Sequence, residues 1–124
     1  MNKRQYNNIL AYLTELTMFT LYINGLKIQK HVRKQVLDNS QTLHRIDRLE
    51  RTWDRINLNL DMNFNVQVKE NLLEEIDCSL TDVANEIIDI RKNEYENKNE
   101  ILQALSEAIN NLNTLKSRIS IMVA

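Results

Sequence analysis

The chain has 124 residues, 43% of them apolar and 27% charged, with one glycine, no proline and one cysteine. That length sets one domain whose folding buries roughly two-thirds of the surface its unfolded chain exposes, a modest core that a partner would usefully extend. The near absence of glycine and proline excludes β-rich and loop-rich folds, and Cys78 alone excludes an intramolecular disulfide framework.

The net charge of −1 conceals a division: residues 1–55 carry ten Lys/Arg against five Asp/Glu (+5), and residues 56–124 carry six against twelve (−6). A basic first half suits a nucleic-acid or anionic-membrane surface, and it equally suits two halves that fold together and partly neutralise. The sequence opens without the charged start, apolar core and small-residue cleavage site of a signal peptide, so a reducing, cytoplasmic setting is expected.

The periodicity predicts an all-α fold, a helical bundle of four to five antiparallel helices in a single domain over 1–124. The helices fall at about 4–23, 26–37, 41–60, 69–93 and 99–121. In the first, Tyr6, Ile9, Leu13, Leu16 and Ile23 lie near one stripe while Leu10, Tyr12, Phe19 and Leu21 fill other faces, so it is buried on several sides. Residues 9–28 reach the length of a membrane span, flanked by basic residues from Lys3 to Lys34. Glu15 opposes that reading, because a mid-bilayer carboxylate costs about 2.5–3.5 kcal/mol on insertion scales. A membrane is therefore not the expected partner.

Asn24-Gly25 reads as a break, since both residues tolerate the left-handed conformation that ends helices. A short amphipathic helix from Leu26 to Leu37 follows, with Ile28, Val32 and Val36 four apart. Asp38-Asn39-Ser40 is a turn in which Asn39 or Ser40 caps the third helix. That helix carries a seam, Ile46, Leu49, Trp53, Ile56 and Leu60, spaced three and four apart. From Ile56 to Val68 apolar and polar residues alternate without fault, which predicts an extended connector or an intermolecular strand near 61–68. Two further seams follow, Leu73, Ile76, Leu80, Val83, Ile87, Ile90 and Ile101, Leu105, Ala108, Leu112, Leu115, Ile119, Met122. The polar stretch Lys92–Glu100 between them is a hairpin turn in preference to the waist of one long helix.

Val66 to Ile76, followed by Ser79 to Ile88, resembles the ribbon-helix-helix repressors in its order of strand, helix, polar cap and helix. The resemblance covers about a sixth of the chain and implies a second helix starting at Ser79. It departs from the pattern in its short spacer, its missing glycine and the asparagine or glutamine at base-reading positions 63, 65 and 67. No family is assigned on it.

No constellation of catalytic parts is present. His31 and His44 stand thirteen residues apart with no metal-binding motif around either. Glu70, Glu74 and Asp77 form an ordinary acidic strip. Cys78 lacks a neighbouring base, and Gly25 as the sole glycine excludes the usual phosphate loops. An enzyme, a cofactor and a small-molecule substrate are accordingly not expected.

Clean seams without site residues point instead to a protein-interaction module: a homo-oligomer, an adaptor or a small subunit of an assembly. Candidate anchors are Tyr12, Phe19, Tyr22, Leu49, Trp53 and Ile56, for each of which core packing is the competing role. The alternative is nucleic-acid binding by the basic region 27–55. Lys27, Lys30, Arg33, Lys34, Arg45, Arg48, Arg51 and Arg55 are then the phosphate contacts, opposed by Asp47, Glu50 and Asp54.

Overall fold

The computed structural model describes residues 3–33, 39–57, 66–95 and 97–121, with side chains described at all of these except 28–33, 39 and 40. Four helices make up almost all of this: α1 Lys3–Arg33, α2 Asn39–Asp54, α3 Val66–Arg91 and α4 Lys98–Ser120. No strand occurs among the described residues.

The helices form a four-cornered bundle in which α1 adjoins α2 and α3, and α4 closes the ring by adjoining both of those. Cross-links fix the directions. Thr42 lies against Tyr22, Arg48 against Glu15 and the Arg55 carbonyl against Asn8, so α2 runs antiparallel to α1. Asp77 meets Lys116, and Lys69 meets the Ser120 carbonyl, so α4 runs antiparallel to α3. Lys27 meets Glu86 and Asp89, while Leu10 shares a groove with Asn71, so α1 and α3 are parallel neighbours.

Each helix gives one stripe to the common core. On α4, Ile101, Leu105, Ala108, Leu112, Leu115 and Ile119 are all buried, as their three-four spacing predicts. On α3 the fully buried positions are Leu72, Ile76, Val83 and Ile90, with Leu73, Leu80 and Ile87 only partly covered. The α1 stripe is Ile9, Tyr12, Leu16, Phe19 and Ile23, widened by Leu13 and Leu26. α2 contributes Leu49 and, just beyond its end, Ile56.

Four expectations from the sequence are corrected. First, α1 passes through Asn24-Gly25 without a break, so residues 26–33 continue α1 and do not start a separate helix; 34–37 lie outside the described residues. Ile23 and Leu26 are both buried, and Lys27 is held by two carboxylates of α3, so contacts on both sides of Gly25 outweigh its propensity penalty of about 1 kcal/mol. Second, α2 starts at Asn39 and stops at Asp54, not at residue 60. Its exit is set from outside the helix. Ile56 N–H donates to the Trp53 carbonyl at 2.9 Å, and the Asn8 amide of α1 donates to the Arg55 carbonyl at 3.0 Å. Third, residues 66–68 are the first turn of α3 and no part of an extended connector; residues 58–65, including Leu60, lie outside the described residues. Fourth, α3 is continuous through Cys78 and Ser79, which removes the second helix that the ribbon-helix-helix resemblance requires.

The expected turn after α3 is present. Asn97 takes the left-handed conformation, with φ of 60°, immediately before α4. Asparagine is the residue other than glycine best suited to that geometry. Lys98 then donates to the Arg91 carbonyl at 3.2 Å, as Lys69 does to that of Ser120 at 3.1 Å. Thus α2, α3 and α4 each have a carbonyl at the C-terminal end bonded by a side chain of a neighbouring helix, a substitute for the glycine stops that the chain lacks.

A Cβ added at Gly25 meets nothing within 4 Å, and the residue is helical. Gly25→Ala is therefore expected to stabilise the protein by about 0.5–1 kcal/mol, whereas Leu112→Ala in the core is expected to cost about 2–5 kcal/mol. Urea unfolding of both variants checks the pair, and a destabilised Gly25→Ala would show that the helix needs flexibility there.

Candidate functional site

The basic residues singled out from sequence do not form one free face. Lys27 binds Glu86 at 2.8 Å and also Asp89, and its side chain is 20% exposed. Burial alone lowers its pKa, but the hydrogen bonds and charges of Asp89 and Glu86 prevail and raise it above the ordinary lysine value. Arg45 lies over the Tyr22 ring, 5.6 Å from its centroid. Arg48 Nε donates to Glu15 at 2.9 Å, and Arg51 Nε to Asp47 at 2.9 Å. Arg55 is exposed. Lys30 and Arg33 belong to the last turns of α1, with side chains outside the described set, and Lys34 lies outside the described residues altogether.

Of the candidate anchors, Tyr12, Phe19, Leu49 and Ile56 belong to the bundle's own core. Trp53 is partly buried, its ring centroid 5.1 Å from that of Tyr12 at an interplanar angle of 54°. Tyr22 is half-buried, and its hydroxyl shares a 2.9 Å hydrogen bond with Thr42. At the Tyr12 hydroxyl, Asn111 of α4 donates at 3.1 Å. Burial pushes the Tyr12 pKa up to about 12; the Asn111 hydrogen bond opposes that shift, and the Glu107 charge adds to it.

The sequence reading missed a second stripe on α1. Ala11, Thr14, Met18, Leu21 and Gly25 are spaced three and four apart on the face opposite the core stripe. Ala11 and Thr14 are exposed, as are Met18 at 38% and Leu21 at 63%. Between Arg4 and Lys27 the only charged residue is Glu15, which turns sideways to Arg48. This outward face therefore carries no charge over about five turns. Its spacing was legible, but apolar residues on every side of the helix hid it.

Beside it, α1 and α3 leave a groove of about 640 Å³. Leu10 and Leu13 contribute apolar floor and Thr14 and Thr17 one wall; the α3 wall includes Glu74, Glu75, Cys78 and Asp82. Among the described residues no group of three or more His, Cys, Asp or Glu is placed to hold a metal ion. Compared with known proteins, the chain matches no family model, no curated protein and no solved structure. The fold alone gives the class: an all-α four-helix bundle.

The Tyr12 proton links folding to pH. The unfolded phenol ionises near 10 and the folded one near 12, so its contribution is fully present below about pH 10 and is lost as pH rises through 12. Lys27, also raised, acts in the same direction once its ammonium begins to deprotonate. Stability is expected to fall by roughly 2–3 kcal/mol between pH 10 and 12 on account of Tyr12. Tyr12→Phe should flatten that fall, as read by urea midpoints across the range; an equally steep loss in the variant would remove Tyr12 from the account.

Proposed function

We propose that this protein is a non-enzymatic interaction module, a helical bundle whose working surface is the outward face of α1. The supporting observation is the uncharged stripe Ala11, Thr14, Met18, Leu21 and Gly25, exposed at its first four positions and partly buried at Gly25. A solvated helix face is ordinarily covered with charged and polar groups, and this one presents two large apolar side chains among small residues over which another helix can approach closely. The partner is another protein or a second copy, met in the cytoplasm. α1 is long and apolar enough over Lys3–Lys27 to cross a membrane by length and composition. The commitment of its inner stripe to a core shared with three other helices favours a protein partner over a lipid one.

Nucleic-acid binding is the second reading, favoured by the exposure of Arg51 at 74% and of Arg55. A surface pair such as Arg51 with Asp47 is worth under about 1 kcal/mol and would yield to a phosphate. Lys27, by contrast, is committed to two carboxylates, and Arg48 and Arg45 have partners on α1. Those commitments weigh against the basic row as a continuous phosphate track.

The test is tagged purification from the native source at moderate salt, with parallel purification of a Met18→Glu/Leu21→Glu double variant. Both positions are exposed, so the variant is expected to melt within about 1 kcal/mol of the parent. A stoichiometric protein partner, or a self-oligomer, that is lost in the variant is the expected result. Stoichiometric, nuclease-sensitive nucleic acid, retained by the variant and lost in Arg51→Glu/Arg55→Glu, would replace this reading with the second.

A further inference from the structure

Among the described residues some carboxylates are paired with a base and others, Glu50, Asp54, Glu70, Glu100 and Glu107 among them, are not. Glu15, Asp47, Asp77, Glu86, Asp89 and Glu94 each hold a lysine or arginine. Glu74, Glu75 and Asp82 hold none among the described residues, and all three line the α1/α3 groove. Across from them the α1 wall is uncharged, with Thr14 and Thr17, and Leu10 and Leu13 lie between. The groove thus has the partly buried Leu10 and the edge of the core residue Leu13 along its floor, carboxylates on the α3 side and no charge on the α1 side. From Asn71 to Asp82 it follows α3 for ~17 Å, about three helical turns.

We infer that the α1/α3 groove is the docking site for a basic amphipathic helix of a partner protein, its apolar stripe on Leu10 and Leu13 and its Lys/Arg flank toward Glu74, Glu75 and Asp82. The inference rests on the interaction-module reading and adds a second surface beside the Met18 and Leu21 stripe. A helix suits the space because α1 and α3 run parallel as two sides of a trough, and a third rod lies in such a trough with its apolar stripe down. The acids select the occupant by charge. An acidic helix meets three uncompensated carboxylates, whereas a basic one pairs with them and reads its own direction from the neutral wall opposite.

Cys78, the chain's only cysteine, is exposed in the groove and supplies the assay. The probe is a synthetic helical peptide of roughly 14 residues, with leucines at three-four spacing and lysines along one flank, set against the same peptide with glutamates for lysines. Occupancy is read as slowed maleimide labelling of Cys78 in the full chain. The lysine peptide is expected to protect Cys78 and the glutamate peptide to leave it open. Glu74→Lys/Asp82→Lys should weaken protection about tenfold or more, and Asp54→Lys on α2, the helix diagonal to α3, should not. Thr17→Trp, which fills the groove without touching its charge, should also block protection. Equal protection by both peptides, or protection indifferent to Glu74→Lys/Asp82→Lys or to Thr17→Trp, would overturn the inference. Concentration-dependent self-protection without peptide would overturn it too, by giving the groove to a second copy. A partner captured through Met18 and Leu21 while the lysine peptide fails would leave the interaction module standing and remove this occupant alone.

Discussion

The side chain of Tyr12 sets the register of the bundle, because its ring rests on Trp53 and its buried hydroxyl is bonded by Asn111. Tyr12 is 1% exposed, and a buried hydroxyl without a partner costs about 1–3 kcal/mol. Its partner is Asn111 of α4, ninety-nine residues away, and the ring itself rests on Trp53 of α2. One side chain therefore ties the diagonal helix α4 to the α1/α2 hairpin at a single level. Sliding any of the three helices by a turn, ~5.4 Å, would break either the hydrogen bond or the ring contact. A purely aliphatic seam at three-four spacing tolerates such slips, since one leucine layer resembles the next. Tyr12 removes that degeneracy.

Charge does complementary work at one end of the α1/α3 pair. Lys27 with Glu86 and Asp89 fixes the upper register of this parallel pair, and it is the point at which the basic first half meets the acidic second half. Most of the remaining pairing stays within a half: Arg48 with Glu15 and Arg51 with Asp47 in the first, Lys116 with Asp77 in the second. Among the ion pairs of the described residues, Lys27 is thus where the two halves neutralise each other. What survives is a surface with arginine on α2 and unpaired carboxylate on α3, at opposite corners.

How much of this was legible follows from how local each cause is. The α4 seam could be read from Ile101 to Ile119 because its spacing repeats over about five turns without interruption; Met122 lies outside the described residues. The hairpin before it was also readable, because Lys92–Glu100 is polar enough to stop both helices. The α1 break was misread for the opposite reason. Asn24-Gly25 is a strong local signal, but Ile23, Leu26 and Lys27 are held by residues distant in sequence, and nothing nearby in the chain announces them. The end of α2 has the same character, being bonded by Asn8, forty-seven residues earlier. Of the candidate contacts, the anchors were chosen for aromatic bulk, which on a helix apolar all round marks the inside; Met18 and Leu21, smaller and less conspicuous, are on the outside. The pairing of Arg51 with Asp47 follows from their four-residue spacing, whereas the partners of Arg48 and Arg45, Glu15 and Tyr22 of α1, belong to tertiary structure and have no signature in spacing.

The openness of the α1/α3 side has a cause in topology. α3 and α4 are joined by a short turn, and α1 and α2 cross-link along their length through Asn8, Glu15 and Tyr22. α1 and α3 belong to different hairpins and are clamped at one end by Lys27. Below that clamp the α1 wall is Thr14 and Thr17, short and uncharged, so no charged side chain of α1 reaches across to Glu74, Glu75 and Asp82. Had Thr14 or Thr17 been leucine, the trough would close on itself and the stripe of α1 would extend the core. Threonine there keeps the floor leucines reachable at little cost to a fold already fixed by Tyr12 and Lys27. The groove is therefore a consequence of which positions were left small, and the stability of the bundle does not depend on closing it.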